Sequence, residues 1–86
     1  MLELIYAPSF VKQFKKLPAA LQEEALEKLE LFKDLGKHKS LKVHKLKGDL
    51  KDRYSFSVNY SFRIIFSYGK GQIRYILAIG DHDVYN

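Results

Sequence analysis

RYSFSVNYSFRIIFSY, residues 53–68, holds two apolar–polar alternations back to back. In the first run Tyr54, Phe56 and Val58 share one face, and Arg53, Ser55 and Ser57 share the other. In the second, Phe62, Ile64, Phe66 and Tyr68 alternate with Arg63, Ile65 and Ser67. Strict alternation of this kind marks a half-buried strand. The Asn59-Tyr60-Ser61 connection then predicts a tight hairpin, with one aromatic face for a core and one polar face opposite.

Toward the C-terminus, Gly69-Lys70-Gly71 predicts the next hairpin turn. Ile73, Tyr75, Leu77 and Ile79 alternate with Arg74, Ile76 and Ala78 in a last strand that Gly80 ends. Toward the N-terminus, Val43 to Lys47 is a short candidate strand, and Gly48-Asp49 starts a turn. Before it the period becomes helical. Leu21, Ala25, Leu29 and Phe32, widened by Leu26, give a stripe along a helix over 19–35, with Glu24 and Lys28 as a favourable pair one turn apart. Gly36 reads as its C-cap. Phe10, Phe14 and Leu17 mark an earlier helix that starts at Pro8 or at a capping Ser9 and is broken by Pro18. Met1 to Tyr6 alternates once more, as a strand. The predicted fold is α+β: an N-terminal strand, then a two-helix hairpin packed on one face of a four- or five-stranded antiparallel sheet, in a single domain over 1–86.

Charge is not spread evenly. Between Lys33 and Arg53 lie eight basic residues (Lys33, Lys37, Lys39, Lys42, Lys45, Lys47, Lys51, Arg53) against Asp34, Asp49 and Asp52, a net of +5. The remaining residues carry seven basic and seven acidic side chains, so the whole excess sits in one segment. A concentrated basic segment attracts polyanions, because neutralised phosphates release their counterions. The chain has no cysteine, which excludes disulfides and thiolate chemistry. MLELIYAPSF has no basic leader before an apolar run, and no stretch approaches the roughly 20 apolar residues of a membrane span. A reducing, cytoplasmic setting fits this composition.

The polar sheet face collects Arg53, Ser55, Ser57, Arg63 and Arg74 beside Ala78, with the basic loop and the His82 tail ending near it. A sheet covered by helices on one side leaves the other for ligands. His38, His44 and His82 are the side chains able to titrate near neutrality. Their scatter, with no cysteine, argues against a metal site. His82 stands between Asp81 and Asp83, which favour its protonated form, and with Arg63 and Tyr85 it can donate a proton and offset anionic charge. Taken singly, His82 also reads as an exposed tail residue, and Lys45 and Lys47 as solvated lysines that blunt an edge strand.

Four segments in order, HKLKG (44–48), RYSFSV (53–58), YSFRIIF (60–66) and IGDHDVY (79–85), resemble the RelE/ParE superfamily of toxins from bacterial toxin–antitoxin pairs. The resemblance covers nearly the whole chain. It implies two helices on an antiparallel sheet, an mRNA endonuclease acting at the ribosomal A site without a cofactor, and a cognate antitoxin that holds it inactive. It implies operator DNA binding only as the toxin–antitoxin complex. Arg63 matches the arginine that YoeB-type members place at the scissile phosphate. His82 matches the C-terminal catalytic histidine of the YoeB and YafQ types, and His44 the histidine opening the H-x-L-x-G element of YafQ-like members. Lys45 and Lys47 fall where RelE uses lysines, and Tyr85 matches its C-terminal tyrosine. Lys37, Lys39, Lys42, Lys47, Lys51, Arg53 and Arg74 are then the expected RNA-phosphate contacts. The pattern departs from YafQ-like members at Ser57 and Ser61, where they carry histidine and aspartate, and no residue matches the YoeB-type glutamate base. ParE-type members, which inhibit DNA gyrase by binding, and degenerate toxins that only bind antitoxin or DNA share the same fold.

Overall fold

The computed structural model describes residues 1–35, 39–48 and 52–81, apart from the side chain of Leu35. The order is β1 (Glu3–Tyr6), α1 (Pro8–Lys15), α2 (Ala19–Leu35), a 3-10 turn (Lys39–Leu41), β2 (His44–Lys45), β3 (Tyr54–Ser57), β4 (Arg63–Tyr68) and β5 (Ile73–Gly80). The five strands form one sheet in the order β1-β5-β4-β3-β2. The two helices and the sheet make the α+β architecture that the period change from 2 to 3.6 predicts.

Proline punctuates the helical layer as expected. Pro8 opens α1 in its first turn, where a missing N–H leaves no bond unmade. Ser9 is not the cap: Ala7 is, and the Ser9 hydroxyl instead donates to the Leu77 carbonyl at 2.7 Å, pinning α1 to β5. The Pro18 carbonyl accepts from Leu21 and Gln22 to start α2. The Gln22 amide then turns back to the Phe14 and Leu17 carbonyls, both at 3.1 Å, satisfying the open end of α1. The expected cap at Gly36 lies outside the described residues.

α2 drives Ala25, Leu29 and Phe32 into the sheet. Phe32 meets Phe56 at 4.5 Å and Phe66 at 4.7 Å between ring centroids, so the core is an aromatic cluster under β3 and β4. Such pairs add about 0.5–1.5 kcal/mol each beyond the burial of their area. On β1, burial and the nearby Glu30 carboxylate push the Tyr6 phenol above its ordinary range.

Three expectations need correction. The sheet is mixed: β1 pairs with β5 in parallel, Glu3 opposite Ile73 and Tyr6 opposite Ile76, while the other pairs are antiparallel. Alternation along a strand reports its faces but neither its partner nor its direction, so this pairing was invisible in the sequence. Second, the strand expected over 43–47 shrinks to His44–Lys45, with one further bond from the Leu46 N–H to the Arg53 carbonyl at 2.9 Å. Third, β5 does not keep one phase. Ile65 pairs with Ala78 but Phe66 pairs with Ile76, so Leu77 is an inserted bulge residue. A bulge moves every residue on one side of it to the other face. Ile76, expected outside, is fully buried in the core, and Arg74 moves to the helix side with it.

Candidate active site

The β3–β4 hairpin builds one wall of a groove. Its tip is fixed by Asn59, whose Oδ1 accepts from the backbone N–H groups of Ser61 and Phe62, each at 2.9 Å. The Nδ2 of the same amide donates to Glu24 Oε1 on α2 at 3.1 Å. One side chain therefore closes the turn and ties it to the helical layer. Two residues into the return strand, half-buried Arg63 pairs across the sheet with Ser57, and its Nη1 donates to the Ser57 hydroxyl. Ser57 is buried, so the guanidinium has a fixed anchor.

The basic segment supplies the other wall. Leu41, at the end of the 3-10 turn, is fully buried in the core, which holds the lysines beside it against the sheet. The chain then turns through Lys42 with φ +52, a left-handed conformation that costs an L-residue with a Cβ roughly 1–2 kcal/mol. The result is a groove of about 460 Å³ lined by Lys28, Ser40, Lys42, Ser57, Val58, Asn59, Tyr60 and Arg63. The described lining brings three cations and no carboxylate. Such a site favours an anion, and the fixed Arg63 can hold one in a defined place.

His44 faces the same side of the sheet. It pairs with Ser55, two residues before Ser57, which sets the His44 and Arg63 rows about 7 Å apart along β3. Its Nδ1 lies 3.1 Å from the Lys42 carbonyl and its Nε2 3.4 Å from Ser55 Oγ. A carbonyl only accepts, so Nδ1 carries hydrogen, and the neutral ring presents its lone pair at Nε2.

The other expected residues divide. Lys42 lines the groove and Lys39 lies outside its lining; both are exposed. Lys45 pairs with Tyr54 and so faces away from Arg63; it lines a second groove of about 390 Å³ with Lys39, Lys42, Val43, His44, Tyr54 and Tyr68. His44 therefore sits at the border between the two grooves, joined to the first through Lys42. Lys47 is exposed beyond β2. Arg53 keeps the Ser55–Ser57 side but stands four residues before Ser57, about 13 Å along the strand. It can serve a different phosphate from Arg63, not the same one. Arg74 is the correction. It was expected on the polar face, but the Leu77 bulge turns it to the helix side, where its guanidinium lies 4.2 Å over the Tyr68 ring. That polar face is also less open than expected, because Ser55 and Ile65 are buried. His82, Tyr85, Lys37, Lys51 and His38 lie outside the described residues. Among the described residues, no group of His, Cys, Asp and Glu is placed to hold a metal ion.

The family model for the RelE-like toxin of the type II toxin–antitoxin system HigB matches residues 8–78. This chain belongs to the HigB-like toxin family. No curated protein matches it. Solved structures agree on the fold. A YoeB/ParE toxin from Agrobacterium tumefaciens superimposes with a TM-score of 0.76 at 19% identity, over 94% of this chain and 99% of that one. A chain of a YoeB–YefM complex from Staphylococcus aureus gives 0.75 at 20% identity, covering 95% and 98%. A chain of the archaeal RelE–RelB complex from Pyrococcus horikoshii gives 0.74 at 22%, covering 95% and 96%.

Several groove residues of this HigB-like toxin were missed in the sequence. Lys28 read as the partner of Glu24, yet Glu24 accepts from Asn59 and Lys28 lines the groove. Ser57 read as a departure from relatives, and here it anchors Arg63. Tyr60 read as a turn residue. Nothing local distinguishes these three, because the hairpin and α2 meet only in the folded chain.

Proposed function

We propose that this HigB-like toxin is a ribosome-dependent mRNA endonuclease that cleaves by attack of an RNA 2′-hydroxyl on its own 3′ phosphate. The observation that carries this reading is Arg63, anchored on Ser57 in a groove whose described lining holds three cations and no carboxylate. His44 Nε2 takes the proton from the 2′-hydroxyl. The oxygen attacks phosphorus, and Arg63 with Lys42 offsets the negative charge that grows on the phosphorane oxygens. The bond to the 5′-oxygen breaks, leaving a 2′,3′-cyclic phosphate and a 5′-hydroxyl. The resemblance assigns protonation of that leaving oxygen to His82 and adds Tyr85 as a further catalytic candidate. The side turned toward Ser55 and Ser57 supports His44 as the base over Lys45, which faces Tyr54. Lys39, Lys47 and Arg53 serve further phosphates, and the +5 segment as a whole serves ribosomal RNA.

The partner that silences it is an antitoxin, acidic and partly disordered when free, that contributes a helix and an added strand. Both sheet edges, β1 and β2, support this, as do the exposed apolar side chains Ile5 and Leu26. Operator DNA is bound only by the pair, and the activity is cytoplasmic. The test is primer extension on a translated mRNA after induced expression, comparing the parent with Arg63→Ala. Codon-spaced breaks that disappear in the variant support the nuclease. Intact mRNA with gyrase-dependent DNA damage would move the protein to the ParE-type reading.

A further inference from the structure

Tyr60 is 94% exposed at the tip of the β3–β4 hairpin. A large aromatic ring left in water forgoes the burial that normally places it, so its position asks for a ligand. The backbone beneath it is fixed, since Asn59 closes the turn and binds Glu24. The ring is thus presented by a tethered support, and it lines the groove that holds Arg63, Lys42 and Lys28. A phosphate held against Arg63 brings its flanking bases with it. Among the described residues lining that groove, Tyr60 is the one aromatic surface on which an unstacked base can lie.

We infer that Tyr60 is the stacking platform for the RNA base next to the scissile phosphate, making the hairpin tip a base subsite. The inference rests on the proposed nuclease reading and adds the place of the base. It also sets the kind of recognition. The Asn59 oxygen accepts two turn N–H groups and its Nδ2 donates to Glu24, so this amide is oriented by the turn and the helix rather than by a base. Stacking on a bare ring accepts every base and favours the larger purines by overlap. The subsite therefore positions the nucleotide for in-line attack without demanding a sequence.

The test is an NMR titration of the free toxin with a trinucleotide 2′-O-methylated throughout, which binds but lacks the attacking hydroxyl. The ring protons of Tyr60 report the base, and the Arg63 Nε–H reports the phosphate. Both should shift along one saturating curve. Tyr60→Ala should weaken binding about 5- to 150-fold, the usual range for one stacked base. Tyr60→Phe should keep it within about twofold, because the ring and not the hydroxyl stacks. Thermal midpoints should change little, since the side chain is 94% exposed. Movement of Arg63 without Tyr60, or unchanged affinity in Tyr60→Ala, overturns the base subsite and leaves the phosphate reading standing. No movement of either group at millimolar trinucleotide overturns the base subsite, while the primer-extension test decides the nuclease reading separately. Loss of antitoxin affinity in Tyr60→Ala with RNA affinity intact makes Tyr60 a protein contact, and that too overturns the inference.

Discussion

Two hairpins of the same sheet each carry an arginine shortly after the turn, and the two arginines do opposite things. Arg63 leaves the β3–β4 turn on the polar face, where a buried serine hydroxyl steadies one nitrogen beside a cationic groove. Arg74 leaves the β4–β5 turn on the helix side. Its Nη1 bonds the Gly71 carbonyl at 3.1 Å and the Ile73 carbonyl at 2.8 Å, and its plane covers Tyr68. The backbones differ in the same sense. The second hairpin takes its positive φ at Gly71, where no Cβ objects, whereas the groove takes one at Lys42. One hairpin is relaxed and self-contained; the other side stores strain beside a charge. Strain and fixed charge held together are what a binding site needs and a structural turn does not.

The difference rests on the bulge at Leu77, and the largest expected effect tests it. Ile76→Ala should cost about 2–5 kcal/mol in urea unfolding, as for a buried aliphatic, while half-buried Leu77→Ala should cost well under half of that. Simple alternation along β5 predicts the reverse order. Next in size, Arg63→Ala should slow single-turnover cleavage of A-site mRNA on programmed ribosomes by about 10²- to 10³-fold. Arg74→Ala in the same assay should stay within about threefold, because its guanidinium is engaged on the other side of the sheet. Equal losses in the two variants would end the contrast. The stability effects should run the other way: Arg74→Ala should lose about 1 kcal/mol through its cation–π and carbonyl contacts. The smallest effect separates strain from charge. Lys42→Gly relieves the left-handed residue, so stability should hold or rise by up to about 1 kcal/mol, while ribosome binding weakens and its salt dependence becomes shallower by nearly one phosphate.

Much of this fold was legible because local signals agreed with it. Pro8, Pro18 and the Leu21–Phe32 stripe set both helices, and the alternations over 53–58 and 62–68 set β3 and β4 within a residue or two. The failures share one cause: they depend on partners far away in sequence. β1 needed β5 to show its direction, and Leu77 needed β4 to show that it is an extra residue. Leu41 sits among lysines, where its burial has no periodic support, so its segment read as a loop. For the proposed site, the resemblance supplied Arg63 and His44 as candidates. Lys28 and Tyr60 were not, because the groove is formed where α2 meets a turn more than thirty positions later, as the Glu24–Asn59 bond records.

The parallel pairing of β1 with β5 also bears on how the protein is made. Glu3 to Tyr6 hydrogen-bond with Ile73 to Ile76, so the first strand waits for the last. Contacts of such long sequence separation close late and slow the folding of a small domain. A growing chain can form α1 and α2 early, but α1 docks on Leu77 and Ile79 of the same final strand. The nascent polypeptide therefore has neither a closed sheet nor a seated first helix until β5 has been made. A toxin built this way has no closed fold to act with until its fifth strand is in place.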